Sequence, residues 1–177
     1  YVQHTRAAGG SNIGSSADQL TVEYTASPPT TNVVDPLTRR VLVTIGDMAA
    51  NHNGGALQFG PDGYLYISMG DGGPQNNPHG FAQCLWRKPA DFTPANCAPG
   101  TPPNYALLGK ILRIDVDGTT ANASAEMCGT TTGQTAQYRI PADNPHVGTS
   151  STCDEIYHTG MRNPFRFSFD RQTGDML

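Results

Sequence analysis

The stretch NHNGGALQFGPDGYLYISMGDGG (Asn51 to Gly73) contains two short apolar runs that are joined by the turn Pro61-Asp62-Gly63. The proline of this turn presets φ and its glycine accepts a positive φ, as a tight reversal of the chain requires. Strands joined by such a turn pair in antiparallel fashion. The stretch therefore predicts a β-hairpin in which Leu57-Gln58-Phe59 lies beside Leu65-Tyr66-Ile67.

Similar runs recur along the chain, and they indicate an all-β protein. No window of a dozen residues free of glycine and proline has apolar residues at the spacing of an amphipathic helix. Short apolar or alternating runs bounded by turn residues are instead typical of strands. The predicted strands are Leu20–Thr25, Arg40–Ile45, Ala56–Phe59, Tyr64–Met69, Lys110–Val116, Glu155–Thr159 and Phe165–Phe169.

The hairpin design is repeated near residue 170, where Phe167-Ser168-Phe169 precedes a turn and then Gly174-Asp175-Met176-Leu177. Repeated antiparallel hairpins with long loops are typical of a β-propeller, whose blades contain ~40–50 residues. The chain supplies about two to three blades, whereas closed rings need about four or more. We therefore expect residues 1–177 to be a fragment of one propeller domain. Loop insertions are expected near 74–104 and 119–152, and the first of them is expected to contribute no core element.

The charge and hydropathy patterns exclude two classes of partner. Fifteen acidic residues against eleven basic ones give a net charge of −4, and the basic residues are scattered. No basic stripe is present that could follow a phosphate backbone, so nucleic acid is not an expected partner. No apolar run approaches the ~20 residues that a membrane-spanning helix needs.

Four cysteines, Cys84, Cys97, Cys128 and Cys153, lie in polar, loop-like sequence without the C-x-x-C spacing of metal or redox sites. This pattern favours disulfides over four free thiols, which is the alternative. Of the three possible pairings we favour Cys84–Cys97 and Cys128–Cys153, because each closes a short loop. Since disulfides persist in oxidising compartments, the protein is predicted to be secreted or periplasmic.

Chemically capable side chains lie in loops next to strands. A histidine such as His52 can take a proton near neutral pH, an aspartate such as Asp71 can orient its imidazole, and an arginine such as Arg162 can bind a carboxylate. Together they indicate a redox or hydrolytic site. Each also has a structural interpretation: a loop histidine bonded to a carbonyl, a turn aspartate, and an arginine that ties loops together. The three loops are residues 51–55, 69–73 and 160–166.

At these residues the sequence resembles the soluble quinoprotein glucose/sorbosone dehydrogenase family. Members of that family are six-bladed propellers that bind pyrroloquinoline quinone (PQQ) and calcium and oxidise sugars. The resemblance therefore implies a partial six-bladed β-propeller. It is carried, in the family's order and spacing, by NHNGGALQFGPDGYLYISMGDGG (Asn51 to Gly73), LLGKILRIDVDG (Leu107 to Gly118), IPADNP (Ile140 to Pro145) and GMRNPFRFSFDRQTGD (Gly160 to Asp175).

The resemblance also implies roles for individual residues. His52 corresponds to the catalytic base that removes the proton of a sugar hydroxyl, and Asp71 to the residue that orients it. Arg162 and Asn163 correspond to the pair that contacts the cofactor, and Arg162 also lies near the substrate.

Two further positions bear on the substrate. Asn51 replaces an acidic residue of the bacterial glucose dehydrogenase, so the substrate need not be glucose. Asn76 lies where that enzyme places a glutamine near the sugar. The calcium ligands are expected beyond residue 177.

The function implied is PQQ-dependent oxidation of a sugar or polyol, with hydride transfer to the quinone and an unidentified electron acceptor. The alternative from another class is an extracellular propeller that only binds, similar to the hedgehog-interacting-protein group. A third and weaker alternative is a calcium-dependent sugar lactonase.

Overall fold

Two antiparallel sheets make up the part of the chain that the computed structural model describes. The first sheet has the order β1-β2-β3 and the second the order β4-β5-β6-β7. A single turn of 3₁₀ helix, Pro103–Leu107, precedes β6. The described residues are 1–6, 18–26, 28–30, 32–47, 51–73, 76–77, 79–85, 103–118, 126–130 and 135–177. The strands are β1 (Val2–Thr5), β2 (Gln19–Ala26), β3 (Val34–Ile45), β4 (Leu57–Phe59), β5 (Leu65–Met69), β6 (Lys110–Ile114) and β7 (Ile156–His158).

The predicted hairpin of residues 57–67 is confirmed. Leu57 pairs with Ile67 and Phe59 with Leu65, in antiparallel register. Inside the turn, the Gly63 N–H donates to the carbonyl oxygen of Gly60 at 3.0 Å. The all-β prediction is confirmed with it, because β2 to β7 all overlap predicted runs, although β3 begins at Val34, well before the run predicted at Arg40–Ile45.

The second sheet is buried on both of its faces. Leu65, Ile67 and Met69 of β5 pack in the main core with side chains of β3, such as Val43. Tyr66 points to the opposite face and packs in a second apolar cluster that includes Phe167. A sheet covered on both faces fits a propeller, in which each blade packs between its neighbours.

The strand predicted at Phe165–Phe169 is wrong. Within it only Phe169 forms a β-bridge, to Met176, although Ser168 and Leu177 also exchange backbone hydrogen bonds. The chain turns at its start, where the Phe165 N–H donates to the carbonyl oxygen of Asn163, and Phe165 is 65% exposed. The alternating pattern also missed β1, whose four residues are too few to carry a clear period.

The expectation that the first insertion contributes no core element is also wrong for its described part. Phe81 and Cys84 are buried in the main core, because an aromatic ring and a half-cystine gain from leaving water. Tyr138 and Ile140, from the second predicted insertion, lie in the same core. The boundaries of both insertions remain predictions.

One of the two predicted disulfides is confirmed. Cys128 and Cys153 are joined, with their Cα atoms 5.5 Å apart. Cys84 is also disulfide-bonded, but Cys97 lies outside the described residues, so the Cys84–Cys97 pairing stays a prediction. Among the described residues, no helix is both long and apolar enough to cross a membrane.

Arg113 of β6 ties the second sheet to its turns. Its guanidinium donates to Asp62 in the β4–β5 turn at 2.8 Å, and to Asp143 and Asn144 at 2.8 and 3.0 Å. It also lies 4.6 Å from the centre of the Tyr64 ring. The desolvation of this buried cation is therefore offset by carboxylates and by the face of an aromatic ring.

Candidate functional site

The loop that carries His52 lies directly against the end of β5, and glycines make this approach possible. A Cβ added to Gly70 would lie 1.8 Å from the carbonyl oxygen of His52, and one added to Gly54 would lie 2.4 Å from that of Ser68. His52 itself has a φ of 57°, which is uncommon for a residue other than glycine. Such backbone strain persists only where the surrounding structure enforces it.

The three residues that the sequence analysis singled out form one cluster, which we call the His52–Asp71–Arg162 cluster. Nδ1 of His52 lies 2.7 Å from Oδ1 of Asp71. Nη1 of Arg162 donates to the other carboxylate oxygen, Oδ2, at 3.0 Å. One carboxylate thus joins residues that are far apart in the sequence.

Hydrogen bonds from backbone N–H groups hold the three loops of this cluster together. The Asp71 N–H donates to the carbonyl oxygen of Arg162 at 2.9 Å. The Gly54 N–H donates to Oδ1 of Asn163 at 3.1 Å, so Asn163 reaches the loop that contains His52. The side chains are therefore placed by the backbone as well as by their own contacts.

The three side chains of the cluster differ in their exposure to solvent. The side chain of Asp71 is 1% exposed, that of His52 19% and that of Arg162 49%. The buried carboxylate is satisfied by the imidazole, the guanidinium and the Gly73 N–H, the last at 3.1 Å. A carboxylate at Nδ1 favours the tautomer with its proton on that nitrogen, which leaves Nε2 able to accept a proton.

A cavity of about 440 Å³ opens beside the buried carboxylate. This volume falls within the range of small-molecule sites. Three carboxamide side chains contribute to its wall, and these can both donate and accept hydrogen bonds. The described residues that line this site cavity are Asp71, Asn76, Asn77, Ala82, Gln83, Gly160 and Arg162.

The structure brings most of the predicted site residues together. Asn76 lines the site cavity beside Asp71 and Arg162, whereas His52, Asn163 and the exposed Asn51 are not among its lining residues. Gln83 and Asn77 were not predicted as site residues, because both lie within the predicted insertion near 74–104 and carry no motif. Their roles, like those of the predicted residues, remain proposals.

The site residues fit one end of an acidic cofactor such as PQQ. Arg162 uses Nη1 for Asp71, and its guanidinium is half exposed, so its other N–H groups can bind a carboxylate. Asn163 accepts a hydrogen bond through Oδ1, which leaves its amide nitrogen able to donate.

Calcium does not fit the described residues. One group of acidic, histidine or cysteine side chains there lies close enough to share an ion, and it consists of Cys128, Cys153 and Glu155. Both of its sulfur atoms are joined in the disulfide, and calcium prefers six to eight oxygen ligands. The expectation of calcium ligands beyond residue 177 stays a prediction.

The chain is similar in sequence to two kinds of protein. HIPL2 protein of Arabidopsis thaliana is 35% identical over 158 residues, which cover 86% of this chain and 19% of that protein. Human Hedgehog-interacting protein is 32% identical over 155 residues, with coverage of 88% and 18%. Quinoprotein glucose dehydrogenase B of Acinetobacter calcoaceticus is 27% identical over 119 residues, with coverage of 67% and 20%. The chain thus spans about a fifth of the length of these relatives, and no protein-family profile matches it.

Solved structures settle the architecture. A glucose dehydrogenase crystal structure superposes with a TM-score of 0.60 at 20% identity, over 98% of this chain and 36% of that one. An oxidoreductase from Thermus thermophilus, also described as a glucose dehydrogenase, gives a TM-score of 0.57 at 25% identity, over 98% and 37%. The chain is a fragment of a β-propeller. The predicted fold class is therefore confirmed, and the site cavity lies on a propeller fragment.

Proposed function

We propose that the full-length protein oxidises a sugar or polyol with a bound quinone, and that His52 is the general base. The His52–Asp71–Arg162 cluster beside the site cavity is the observation that carries this proposal. The similarity of the chain to a quinoprotein glucose dehydrogenase supports the same reaction class. The 177 residues then form part of one propeller domain.

In the proposed reaction, Nε2 of His52 accepts the proton of a substrate hydroxyl as a hydride leaves the carbon that bears it. The hydroxyl carbon becomes a carbonyl carbon, and two electrons and two protons leave the substrate in total. Asp71 keeps the Nδ1 proton in place and stabilises the imidazolium that forms. When bound, PQQ would supply the two-electron acceptor for the hydride.

Arg162 and Asn163 are proposed to hold that cofactor. Arg162 is the one cation of the His52–Asp71–Arg162 cluster, and its exposed N–H groups match the geometry of a carboxylate. The carboxamides of the cavity wall, Asn76 among them, are proposed to bind the hydroxyl groups of the substrate. Asn51, which is exposed and precedes His52 in the sequence, is proposed to contact the substrate from outside the cavity wall.

The test is dye reduction by the full-length protein, supplied with calcium and PQQ, over a panel of aldoses and polyols. His52→Ala is expected to lower turnover by about 10²-fold or more, because a general base is lost. His158→Ala, at an exposed histidine on β7, is the matched control and is expected to keep the wild-type rate. Equal turnover in the His52 variant and the wild type would refute the role of His52.

A second candidate function is an extracellular module that binds a protein. The chain is 32% to 36% identical to Hedgehog-interacting and HIPL proteins, compared with 27% for the quinoprotein dehydrogenase. The disulfide Cys128–Cys153 fits an extracellular protein of either kind. If an absorbance titration shows no binding of PQQ to the full-length protein, the binding module is favoured and the dehydrogenase proposal fails.

A further inference from the structure

Lys110, the first residue of β6, has a completely buried side chain. Its Nζ donates to three backbone carbonyl oxygens: those of Phe81 at 2.5 Å, Leu108 at 2.8 Å and Ala82 at 3.1 Å. Among the described residues, no acidic side chain forms an ion pair with it. Backbone dipoles therefore replace the water that this ammonium group lost on burial.

Two of the three carbonyl groups belong to the segment that forms one wall of the site cavity. Ala82 and Gln83 line that cavity. The carbonyl oxygen of Ala82 also accepts from the Gly160 N–H at 2.7 Å, and Gly160 lines the cavity too. The Ala82 carbonyl thus lies between the Lys110 ammonium and the loop that leads to Arg162.

The residue before Lys110 makes the complementary contacts. The Gly109 N–H donates to the carbonyl oxygen of Gly70 at 2.8 Å, and its own carbonyl oxygen accepts from the Met161 N–H at 3.0 Å. Gly70 precedes Asp71, and Met161 precedes Arg162. Residues 109 and 110 therefore contact three of the segments that form the site cavity, those that contain Asp71, Ala82 and Arg162.

We propose that Lys110 is a positioning residue, whose ammonium group fixes the Ala82–Gln83 wall against Asp71 and Arg162 and thereby sets ligand affinity at the site cavity. The proposal rests on the proposed function in one respect, since it takes this cavity to be the ligand site. Lys110 itself is not among the described residues that line the cavity.

The number of donors matches the number of acceptors. An ammonium group has three N–H donors and meets three carbonyl oxygens, whereas a neutral amine has two donors and leaves one of the three carbonyl oxygens without its hydrogen bond from Nζ. Burial lowers the pKa of Lys110 to about 7. The tests are therefore run at pH 6, where the ammonium form predominates.

The first test is hydrogen exchange, measured by mass spectrometry on the full-length protein without any ligand. Lys110→Met keeps the aliphatic stem and removes all three donors. We expect amides of residues 79–85, and that of Gly160, to exchange about tenfold faster or more. Peptides from β2 and β3 are expected to keep their wild-type rates.

Arg113→Met is the matched control, because it removes a buried cation from the same strand but away from the cavity. Its local effect is expected at residues 141–144, which hold its partners Asp143 and Asn144. If it accelerates exchange at 79–85 as much as Lys110→Met does, the effect is general loss of stability and the proposal is overturned. If Lys110→Met does not fold, Lys110→Gln keeps two donors and is expected to show a smaller acceleration at the same residues.

The second test is an absorbance titration with PQQ. Lys110→Met is expected to weaken binding by about tenfold or more, and Arg113→Met by less than about twofold. Unchanged exchange at 79–85, or unchanged affinity, in Lys110→Met would overturn the proposal. If the wild type binds no PQQ, the proposed function fails, and the exchange comparison alone decides whether Lys110 fixes the wall.

Discussion

Asp71 is the residue on which the cluster depends, because each of its two carboxylate oxygens serves a different partner. Oδ1 contacts Nδ1 of His52, and Oδ2 accepts from Arg162. An amide at this position has one oxygen and one NH₂ group, so it can accept from only one of the two donors. The cluster therefore requires both the negative charge of Asp71 and its two equivalent oxygen atoms.

Asp71→Asn is therefore expected to reduce turnover of the full-length enzyme by about 10²-fold to 10⁴-fold, because the imidazole loses its fixed tautomer. Dye-reduction kinetics measure this effect. Asp175→Asn, at an exposed carboxylate in the second hairpin, is the matched control and is expected to have the wild-type rate. Wild-type turnover in Asp71→Asn would show that the carboxylate is only a turn residue.

Some residues of the site and the core could be predicted from the sequence, and others could not. His52 and Asp71 could be predicted because both flank a hairpin whose turn is recognisable in the sequence. Lys110 and Glu155 could not, since a charged residue in a strand is by default expected to face solvent. Their burial depends on partners 26 to 29 residues away, at Phe81 and Gly129.

At the level of the strands and loops, the close approach of the His52 loop to the end of β5 determines the geometry of the site. The φ of Gly70 is not positive, so any residue could adopt its backbone conformation. A glycine is needed here because a side chain would overlap the backbone of His52. The prediction of β4 and β5 succeeded because their turn is local. The strand predicted at Phe165–Phe169 failed because the chain turns at its start and, within the run, Phe169 alone forms a β-bridge.

Gly70→Ala is expected to destabilise the protein by about 3 kcal/mol or more, since the new methyl group would overlap the carbonyl oxygen of His52. Gly148→Ala is the contrasting variant. Gly148 has a φ of 82° with nothing within 4 Å of an added Cβ, so only conformational strain of about 1–2 kcal/mol is expected. Chemical denaturation of both variants measures the difference, and equal losses would contradict this assignment.

Glu155, just before β7, links that strand to the segment that contains Cys128. Its Oε1 accepts from the Cys128 and Gly129 N–H groups and from Tyr138 Oη, at 2.6 to 2.8 Å, whereas the buried Oε2 has no hydrogen-bond partner among the described residues. Burial raises the pKa of this carboxyl above its ordinary value of 4.5. The folded state therefore keeps a proton that the unfolded chain releases.

It follows that the contribution of Glu155 to stability is complete below pH 4.5 and is lost as the pH rises through the folded-state pKa. Glu155→Gln has no ionisable group here, and its amide oxygen can still accept from the same donors. We expect urea denaturation between pH 4.5 and pH 8 to show a smaller loss of stability in this variant than in the wild type. An identical pH dependence in the two proteins would contradict the assignment.

For the molecule as a whole, the extent to which each face of its sheets is buried determines its stability. The second sheet is buried on one face by β3 and on the other by the cluster around Phe167. The first sheet still exposes apolar side chains, among them Val34 and Leu37, which are 54% and 93% exposed. The superposed dehydrogenases are longer, and the chain covers 36% of one of them.

Expressed by itself, the 177-residue chain is therefore expected to aggregate and to lack dehydrogenase activity, because sheet edges and apolar faces remain open. Size-exclusion chromatography with light scattering measures the first property, and dye reduction the second. The full-length protein is the control and is expected to be monodisperse. A monodisperse and active 177-residue chain would contradict the proposal that it is part of a larger propeller domain.

The shared carboxylate of Asp71 has a consequence for how such a protein can change during evolution. Its two partners lie on either side of the second sheet in the sequence, His52 before β4 and Arg162 after β7. A recombination breakpoint between codons 52 and 162 would combine a histidine from one parent with an arginine from the other. Chimeric genes whose parents differ at either position should therefore retain a working site only when the whole second sheet is inherited from one parent.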